Sequence, residues 1–190
     1  MKKIFSISLI IIGLGMCLFS VYPILEMNKE VVNSLDEWED VKQYYVLQND
    51  EIEREVITDD LIGTLTLVGF NDKIPIRMGT TENVLKKGIG LDEDTTEIGQ
   101  SGNSVLYGHR EKILWNLKNV KIDDDIIIET LTDNFIFRIN DIKIVDPDDP
   151  FIYESADEST ITLVTCYPFI YMGPTPQRYV VKATLVNHGD

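Results

Sequence analysis

The stretch Thr160-Ile161-Thr162-Leu163-Val164-Thr165-Cys166 has the composition of a β-strand and ends on the only cysteine outside the N-terminal apolar segment. β-Branched and apolar residues, which are enriched in strands, make up nearly all of it. A second run of this type, from Tyr179 to Val186, begins directly after Arg178. The two runs predict strands of a β-rich fold, and a lone thiol at the end of a strand is a candidate nucleophile.

Short β-type runs continue upstream and are separated by turn signals. The motifs Gly69-Phe70-Asn71-Asp72 and Thr132-Asp133-Asn134 each predict a local hairpin. No regular alternation of strands and helices suggests a parallel sheet. We therefore predict an all-β domain that forms a closed or nearly closed barrel. The upstream strands are expected at residues 62–68, 73–77, 104–107, 126–131 and 135–145, and short helical segments at 81–87, ending at Gly88, and at 112–117.

The N-terminus carries an uncharged apolar segment from Ile4 to Leu25. Its length matches the ~20 residues of a membrane-spanning helix. A signal peptide is the alternative, but the segment ends in Phe19-Ser20-Val21-Tyr22-Pro23 and lacks an Ala-x-Ala-like cleavage pattern. We predict an uncleaved anchor over residues 1–25. Lys2 and Lys3 would keep its start in the cytoplasm, so that the remainder lies outside.

An acidic segment at residues 26–60 follows, and it has a helical period. Its apolar residues recur at intervals of three and four, as in an amphipathic helix, at Val31, Leu35, Trp38, Val41 and Tyr45. We interpret it as a helical stalk. It could pack against the folded body or another chain, or serve as a spacer, and the sequence does not decide between these roles. The folded domain is expected at residues 61–190.

The composition limits the classes of function. A formal charge of -15 disfavours nucleic acid as a partner, because phosphate binding needs clustered Lys and Arg. The other cysteine, Cys17, lies inside the apolar segment, so an intramolecular disulfide with Cys166 is not expected. Cys166 is therefore either a buried structural cysteine or a functional thiol.

Cysteine chemistry requires neighbours that activate the thiol. His109, in Gly108-His109-Arg110, is the candidate acid and base, because His188 lies two residues from the C-terminus. Arg178, a permanent cation with five N–H donors, could stabilise an oxyanion. A histidine in a turn and an arginine at the start of a strand also have ordinary structural roles. Together with Cys166, however, they suggest acyl transfer.

These residues resemble the signature of sortases, the cysteine transpeptidases of Gram-positive cell envelopes. The motif Thr162-Leu163-Val164-Thr165-Cys166, the downstream Arg178 and the upstream Gly108-His109 occur in the order of the family, and the resemblance covers residues 62–186. It implies an eight-stranded sortase-type β-barrel with short helices, preceded here by the predicted transmembrane helix and helical stalk.

The resemblance also implies a reaction and its partners. Cys166 would attack the bond between Thr and Gly or Ala in a Leu-Pro-x-Thr-type sorting signal of a secreted protein and form a thioester. An amine of peptidoglycan or of its lipid-linked precursor would resolve the thioester. His109 would transfer protons and Arg178 would stabilise the oxyanion. Thr165 and Tyr167 are expected to contact the substrate, and no cofactor is expected.

The segment Cys166-Tyr167-Pro168-Phe169 is most similar to class D sortases. Pilus-building sortases carry an Asp-Pro-aromatic lid ahead of the barrel, whereas Asp149-Pro150-Phe151 lies between two late strands, where we interpret it as a turn. The acidic runs at 92–94 and 123–125 have no recognisable calcium-ligand spacing, so we assign no metal. The alternatives are a pilin polymerase or a cysteine peptidase and, in another class, a non-catalytic barrel that binds envelope peptides.

Overall fold

Eight strands close into a barrel in the computed structural model of the chain, which describes residues 2–47, 60–70, 72–171 and 173–189. The all-β, eight-stranded barrel expected from the sequence is confirmed. The strands are β1 (Leu61–Leu67), β2 (Asp72–Met78), β3 (Ile89–Leu91), β4 (Gly102–Tyr107), β5 (Asp125–Glu129), β6 (Asn134–Val145), β7 (Ser159–Tyr167) and β8 (Gln177–Gly189).

The helices are few and, apart from the first, short. Among the described residues they are α1 (Lys2–Leu47), α2 (Glu82–Lys87) and two 3-10 helices at Trp115–Asn119 and Pro150–Tyr153. Thr81 caps α2, because its hydroxyl accepts a hydrogen bond from the Val84 amide at 3.4 Å. Both predicted short helical segments are therefore present, although the second is a 3-10 helix that begins at Trp115 rather than at Lys112.

Around the barrel the strands follow the order β1, β2, β3, β4, β7, β8, β6 and β5, and β5 pairs with β1 to close it. Two pairings are parallel, β2 with β3 and β4 with β7. No pattern in the sequence indicated parallel pairs. The parallel neighbours are joined by long connections, so the local hairpin signals that the sequence provides could not report them.

Every strand except β3 coincides with a predicted run. The two predicted hairpins join β1 to β2 and β5 to β6, although Asn71 of the first turn lies outside the described residues. β3 is only three residues long and has Gly90 at its centre, so its composition is not typical of a strand. A Cβ at Gly90 would lie 2.1 Å from the carbonyl oxygen of Gly79, so glycine is required where the two chain segments approach.

The barrel has two apolar faces that alternate along its strands. Inward residues such as Leu106 on β4, Leu163 on β7 and Val181 on β8 form the main core. A smaller cluster covers the outside of the same strands: Val105, Val145, Ile152, Val164 and Val180. Because successive side chains of a strand point to opposite faces, this second cluster marks the outer face of β4, β7 and β8.

The second half of α1 packs against the barrel. Trp38 is fully buried, and Val31 and Met27 pack against the main core. The amphipathic helix predicted at residues 31–45 is therefore confirmed. The alternative that the sequence left open, packing element or spacer, is decided in favour of packing for this part of the segment, whereas residues 48–59 lie outside the described residues.

Arg77 of β2 forms polar contacts with the same helix. Its guanidinium is 1% exposed, and it donates to Asp60 at 2.7 Å, to Glu37 at 2.5 Å and to Ser34 at 3.1 Å. A buried guanidinium requires such partners, because an unpaired buried charge is strongly destabilising. The contacts of Arg77 with Ser34 and Glu37 tie the second half of α1 to the barrel.

Within the described part of the chain, no helix combines the length and the apolar character that crossing a membrane requires. The anchor over residues 1–25 and the domain limits at 26–60 and 61–190 stay predictions.

Candidate active site

Cys166 is the last residue but one of β7 and lies opposite Arg178, the second residue of the antiparallel strand β8. Its thiol is free and partly exposed. Directly opposed residues in adjacent strands have Cβ atoms roughly 5 Å apart, on the same face of the sheet. The strand register therefore brings the candidate nucleophile and the candidate oxyanion donor together.

His109 reaches the same end of the barrel through the parallel neighbour of β7. Tyr107, the last residue of β4, pairs with Val164, and the Gly108 amide extends the pairing by donating to the carbonyl of Val164 at 3.1 Å. His109 thus lies just beyond the end of β4, and Cys166 lies two residues beyond Val164 on β7, at the same end of the barrel. Strands β4, β7 and β8 are adjacent in the barrel, so the structure brings all three predicted catalytic residues to one end of the barrel.

The alternation of the strands also puts Cys166 and Arg178 on one face. Cys166 lies two residues after Val164, and Arg178 lies two residues before Val180, both of which belong to the outer apolar cluster. Tyr107 packs against that cluster as well, and His109 follows it by two residues. Cys166 and Arg178 therefore belong to the outer face, next to Val164 and Val180, and His109 follows β4 at the same end of the barrel.

The turn that carries His109 is closely packed. A Cβ at Gly108 would lie 2.8 Å from Leu114 and 2.9 Å from Ile89, so no side chain fits there. The hydroxyl of Thr165 donates to the Gly108 carbonyl at 2.7 Å, and Thr165 is 2% exposed. Thr165 thus connects the strand of the nucleophile to the turn of the histidine.

The side chain of His109 is 27% exposed, and its Nε2 lies 3.7 Å from a carboxylate oxygen of Glu82 on α2. A cavity of about 500 Å³ opens beside it, between α2 and the second half of α1. Carboxylates from both helices line this cavity, among them Glu26, Glu30 and Glu82. The histidine is therefore accessible from the side of α1.

Arg178 donates from Nη1 to the carbonyl of its neighbour Gln177 at 3.1 Å. Among the described residues its guanidinium forms no other hydrogen bond. An arginine has five N–H donors in a planar fork, so most of its capacity can turn toward an oxyanion or a substrate carbonyl.

Arg110 has a role that the sequence did not reveal. The side chain is 6% exposed and donates to the carbonyl of Pro168 at 2.5 Å and to that of Tyr171 at 2.8 Å. It therefore joins the histidine turn to the loop between β7 and β8. The Gly-His-Arg motif contained this residue, but only the fold shows which carbonyls it reaches.

Tyr167 lies on the other face of β7 from Cys166. Its ring stacks on Tyr179 at 6.3 Å and meets the edge of Phe169 at 6.3 Å, and these rings pack against the main core. The substrate contacts expected for Thr165 and Tyr167 stay predictions. In the structure, Thr165 is hydrogen-bonded to the Gly108 carbonyl, and Tyr167 packs against two aromatic rings.

A family model of the sortase domain matches residues 65–186, which is more than half of the 190 residues. The chain belongs to the sortase family. This agrees with the resemblance carried by Cys166, His109 and Arg178, and with the barrel that brings them together.

Individual sortases give the degree of similarity. Sortase D of Bacillus subtilis (strain 168) is 33% identical over 125 residues, which are 65% of this chain and 63% of the relative. Sortase A of Bacillus anthracis is 25% identical over 130 residues, which are 66% of this chain and 60% of the relative. The chain thus spans somewhat less than two thirds of the length of these relatives.

Solved sortase structures are similar over a larger share. The Clostridium perfringens sortase D5 transpeptidase matches with a TM-score of 0.67 at 28% identity and covers 84% of this chain and 99% of its own. Sortase C1 of Streptococcus agalactiae in complex with MTSET gives a TM-score of 0.63 at 25% identity, over 83% and 89% of the two chains. The class D resemblance expected from the sequence is in line with the first of these and with the Bacillus subtilis relative.

A segment between β6 and β7 covers the outer face of this sortase barrel next to the candidate catalytic residues. Asp149-Pro150-Phe151 begins its 3-10 helix, and the Asp149 carboxylate accepts from the Phe151 amide at 2.9 Å. The turn expected at this motif is confirmed. Asn103 of β4 holds the segment by donating to the carbonyls of Ile152 and Glu154, each at 3.0 Å.

Two tyrosines link this covering segment to the outer face of β4. The hydroxyls of Tyr107 and Tyr153 are 2.7 Å apart, and that of Tyr153 also donates to Asp92 at 2.9 Å. Burial raises the pKa of both phenols above the ordinary value of 10.0, and the hydrogen bond with Tyr107 and the contact with Asp92 raise that of Tyr153 further. The alternation of β4 could have indicated Tyr107 from the position of His109, but nothing in the sequence pointed to Tyr153 or Asp92.

No group of three or more His, Cys, Asp or Glu side chains within the described ranges is arranged to hold a metal ion.

Proposed function

We propose that this sortase is a transpeptidase that cleaves a Leu-Pro-x-Thr-type sorting signal between Thr and Gly or Ala and transfers the protein to an amine. The amine belongs to peptidoglycan or its lipid-linked precursor. The observation that supports the proposal is that Cys166, His109 and Arg178 lie at the same end of three adjacent strands. A packing role for Cys166 alone would not require the other two.

In the first half-reaction the Cys166 sulfur forms a bond to the carbonyl carbon of the Thr residue, and the thiol proton passes to His109. Negative charge develops on the carbonyl oxygen, where the guanidinium of Arg178 stabilises it. The C–N bond then breaks, and His109 returns the proton to the departing amine. A thioester on Cys166 and the released tail of the signal are the products.

The second half-reaction reverses these roles. The acceptor amine attacks the thioester carbonyl, His109 takes a proton from it, and the C–S bond breaks with return of the proton to the Cys166 sulfur. The new amide bond links the protein to its acceptor. Because His109 borders the open cavity near α1, a nucleophile can approach it from that side.

A cleavage assay with defined amines tests the proposal. Peptides containing Leu-Pro-x-Thr-Gly or Leu-Pro-x-Thr-Ala are incubated with the protein, with and without a diamino acid or a glycine oligomer, and the products are separated. We expect cleavage that depends on Cys166, together with an amide-linked product when an amine is present. Cleavage to the free acid alone, unaffected by amines, would instead identify a cysteine peptidase.

A pilin lysine as the preferred acceptor would identify a pilin polymerase. Undiminished cellular function in Cys166→Ala would favour a non-catalytic peptide-binding barrel.

We also propose that the apolar segment at residues 1–25 anchors the chain in the cell membrane with the barrel outside the cytoplasm. The support is the uncharged run after Lys2 and Lys3. Membrane fractionation of cells that express the full chain, followed by protease treatment of intact protoplasts, tests it. Recovery of the chain in the soluble cytosolic fraction would contradict it.

A further inference from the structure

The tyrosine pair, Tyr107 and Tyr153, borders the exposed part of the catalytic face. Tyr107 pairs with Val164, two residues before Cys166, and both side chains belong to the outer face. Two residues along a strand span about 7 Å and neighbouring strands lie about 4.8 Å apart, so the backbone of Tyr107 lies roughly 9 Å from that of the nucleophile. Tyr153 reaches it from the covering segment and is 52% exposed. A peptide whose carbonyl meets Cys166 and whose chain extends over this face must pass the pair.

Asp92 determines which way the hydroxyl protons point. The hydroxyl of Tyr153 donates to the carboxylate, which when ionised can only accept. Its single proton is therefore committed to Asp92, and the 2.7 Å contact between the two phenols must use the proton of Tyr107. The oxygen of Tyr107 then presents only lone pairs to its surroundings.

An acceptor of this kind suits a backbone N–H. An extended peptide that crosses the face offers such groups at regular intervals, whereas its carbonyl groups would find no proton at Tyr107. The raised pKa of Tyr107 keeps the phenol protonated, which preserves this arrangement at neutral pH.

We propose that Tyr107 and Tyr153 are positioning residues for the peptide donor, in which the Asp92–Tyr153–Tyr107 chain presents the Tyr107 oxygen to one backbone N–H of the bound signal. The inference rests on the proposed function, since it concerns the peptide that the site would cleave. It assigns the recognition of one peptide N–H to this outer face.

Ester substitution in the donor peptide tests the inference atom by atom. A set of signal peptides is prepared in which one backbone N–H at a time, other than that of the scissile bond, is replaced by an ester oxygen. The kcat/KM of cleavage is measured for the full chain, for Tyr107→Phe and for Tyr44→Phe, which removes a tyrosine hydroxyl on the exposed side of α1. Thermal unfolding and the rate of Cys166 alkylation are measured in parallel.

We expect Tyr107→Phe to lower kcat/KM for the all-amide peptide by about three- to tenfold, the value of one neutral hydrogen bond. One ester peptide should be cleaved equally by wild type and by Tyr107→Phe, because the N–H that Tyr107 accepts is already gone. Tyr44→Phe should match wild type on every peptide, and alkylation of Cys166 should not change. If Tyr107→Phe unfolds at a lower temperature, the same comparison is made below its unfolding transition, where the loss must still be confined to the peptides that retain the recognised N–H.

Two results would overturn the inference while the proposed function stands. One is cleavage of the all-amide peptide by Tyr107→Phe at the wild-type rate. The other is a kcat/KM of Tyr107→Phe that is lower than that of wild type by the same factor for every ester peptide. Failure of the wild-type protein to cleave any donor peptide would instead contradict the proposed function, and this inference with it.

Discussion

Arg178 lies opposite Cys166 and is the candidate donor to the oxyanion. If it stabilises the oxyanion opposite Cys166, Arg178→Ala should lower kcat by about 10²- to 10³-fold, as the loss of one oxyanion donor does in other enzymes. Arg178→Lys should recover only part of this, because an ammonium lacks the planar fork. Single-turnover cleavage of a signal peptide measures both variants.

The matched control for Arg178 is Arg138→Ala, since Arg138 is an exposed arginine of β6 that pairs with Asp125. Equal losses in the Arg178 and Arg138 variants would show that net charge, rather than an oxyanion contact, is responsible.

Thr165 separates a positioning role from the substrate contact predicted for it. Thr165→Val removes the donor of the Gly108 carbonyl with little change in volume, so we expect the free energy of unfolding to fall by about 1–3 kcal/mol. The cleavage rate should also fall, because the turn that carries His109 loses its hydrogen bond to β7. Thr165→Ser keeps the hydroxyl and should retain most of both properties. Denaturant unfolding and peptide cleavage measure the effects, and a loss of cleavage without any loss of stability would favour the substrate contact.

At the scale of single elements, the loop between β7 and β8 depends on Arg110. Arg110→Met preserves most of the buried volume but removes both donors to the carbonyls of Pro168 and Tyr171. We expect faster amide hydrogen exchange across residues 168–171 and a lower kcat/KM, since the loop follows Cys166 directly. Hydrogen exchange with mass spectrometry reads the loop directly. Unchanged exchange at 168–171 would show that other contacts hold it, and Arg138→Met serves as the control for a lost arginine.

Elements differ in how far the sequence predicts them. β7 and β8 are long and rich in β-branched residues, and their ends carry Cys166 and Arg178, so the same runs predicted the strands and the positions of these two candidate residues. β3 has three residues around Gly90 and no periodicity to detect. The side chains of Arg110, Tyr153 and Asp92 act through partners far away in the chain. Their roles depend on the register of strands and on the covering segment, which local patterns do not contain.

At the scale of the whole molecule, α1 is part of the fold. Trp38→Ala empties a fully buried site between helix and barrel and should cost about 3–5 kcal/mol of the free energy of unfolding. Val32→Ala, on the exposed side of the same helix, should cost little. Thermal or denaturant unfolding compares them. Equal stability of the two variants would mean that the segment acts as a spacer in solution.

The contact between α1 and the barrel should also depend on pH. Burial alone would raise the pKa of Glu129, but hydrogen bonds from Lys42 and Lys73 outweigh it and hold the pKa below the ordinary 4.5. A depressed carboxyl pKa adds stability above the unfolded pKa, and that stability is lost as the pH falls through the folded pKa. Wild type should therefore exceed Glu129→Gln in stability near neutral pH, and the difference should shrink in acid.

Denaturant unfolding between about pH 7 and about pH 3 measures the effect of Glu129→Gln. Glu97→Gln, at an exposed carboxylate, is the control. A difference between wild type and Glu129→Gln that stays constant over this range would contradict the ion-pair explanation.

The most direct test of the account is the intact mass of the full chain after brief incubation with a Leu-Pro-x-Thr-Gly or Leu-Pro-x-Thr-Ala peptide, followed by peptide mapping. The account predicts an added mass equal to the signal up to its Thr, carried on Cys166 as a thioester, released by hydroxylamine and missing in Cys166→Ala. An unmodified Cys166 in a protein that nevertheless cleaves the peptide, or an adduct on any other residue, would contradict it.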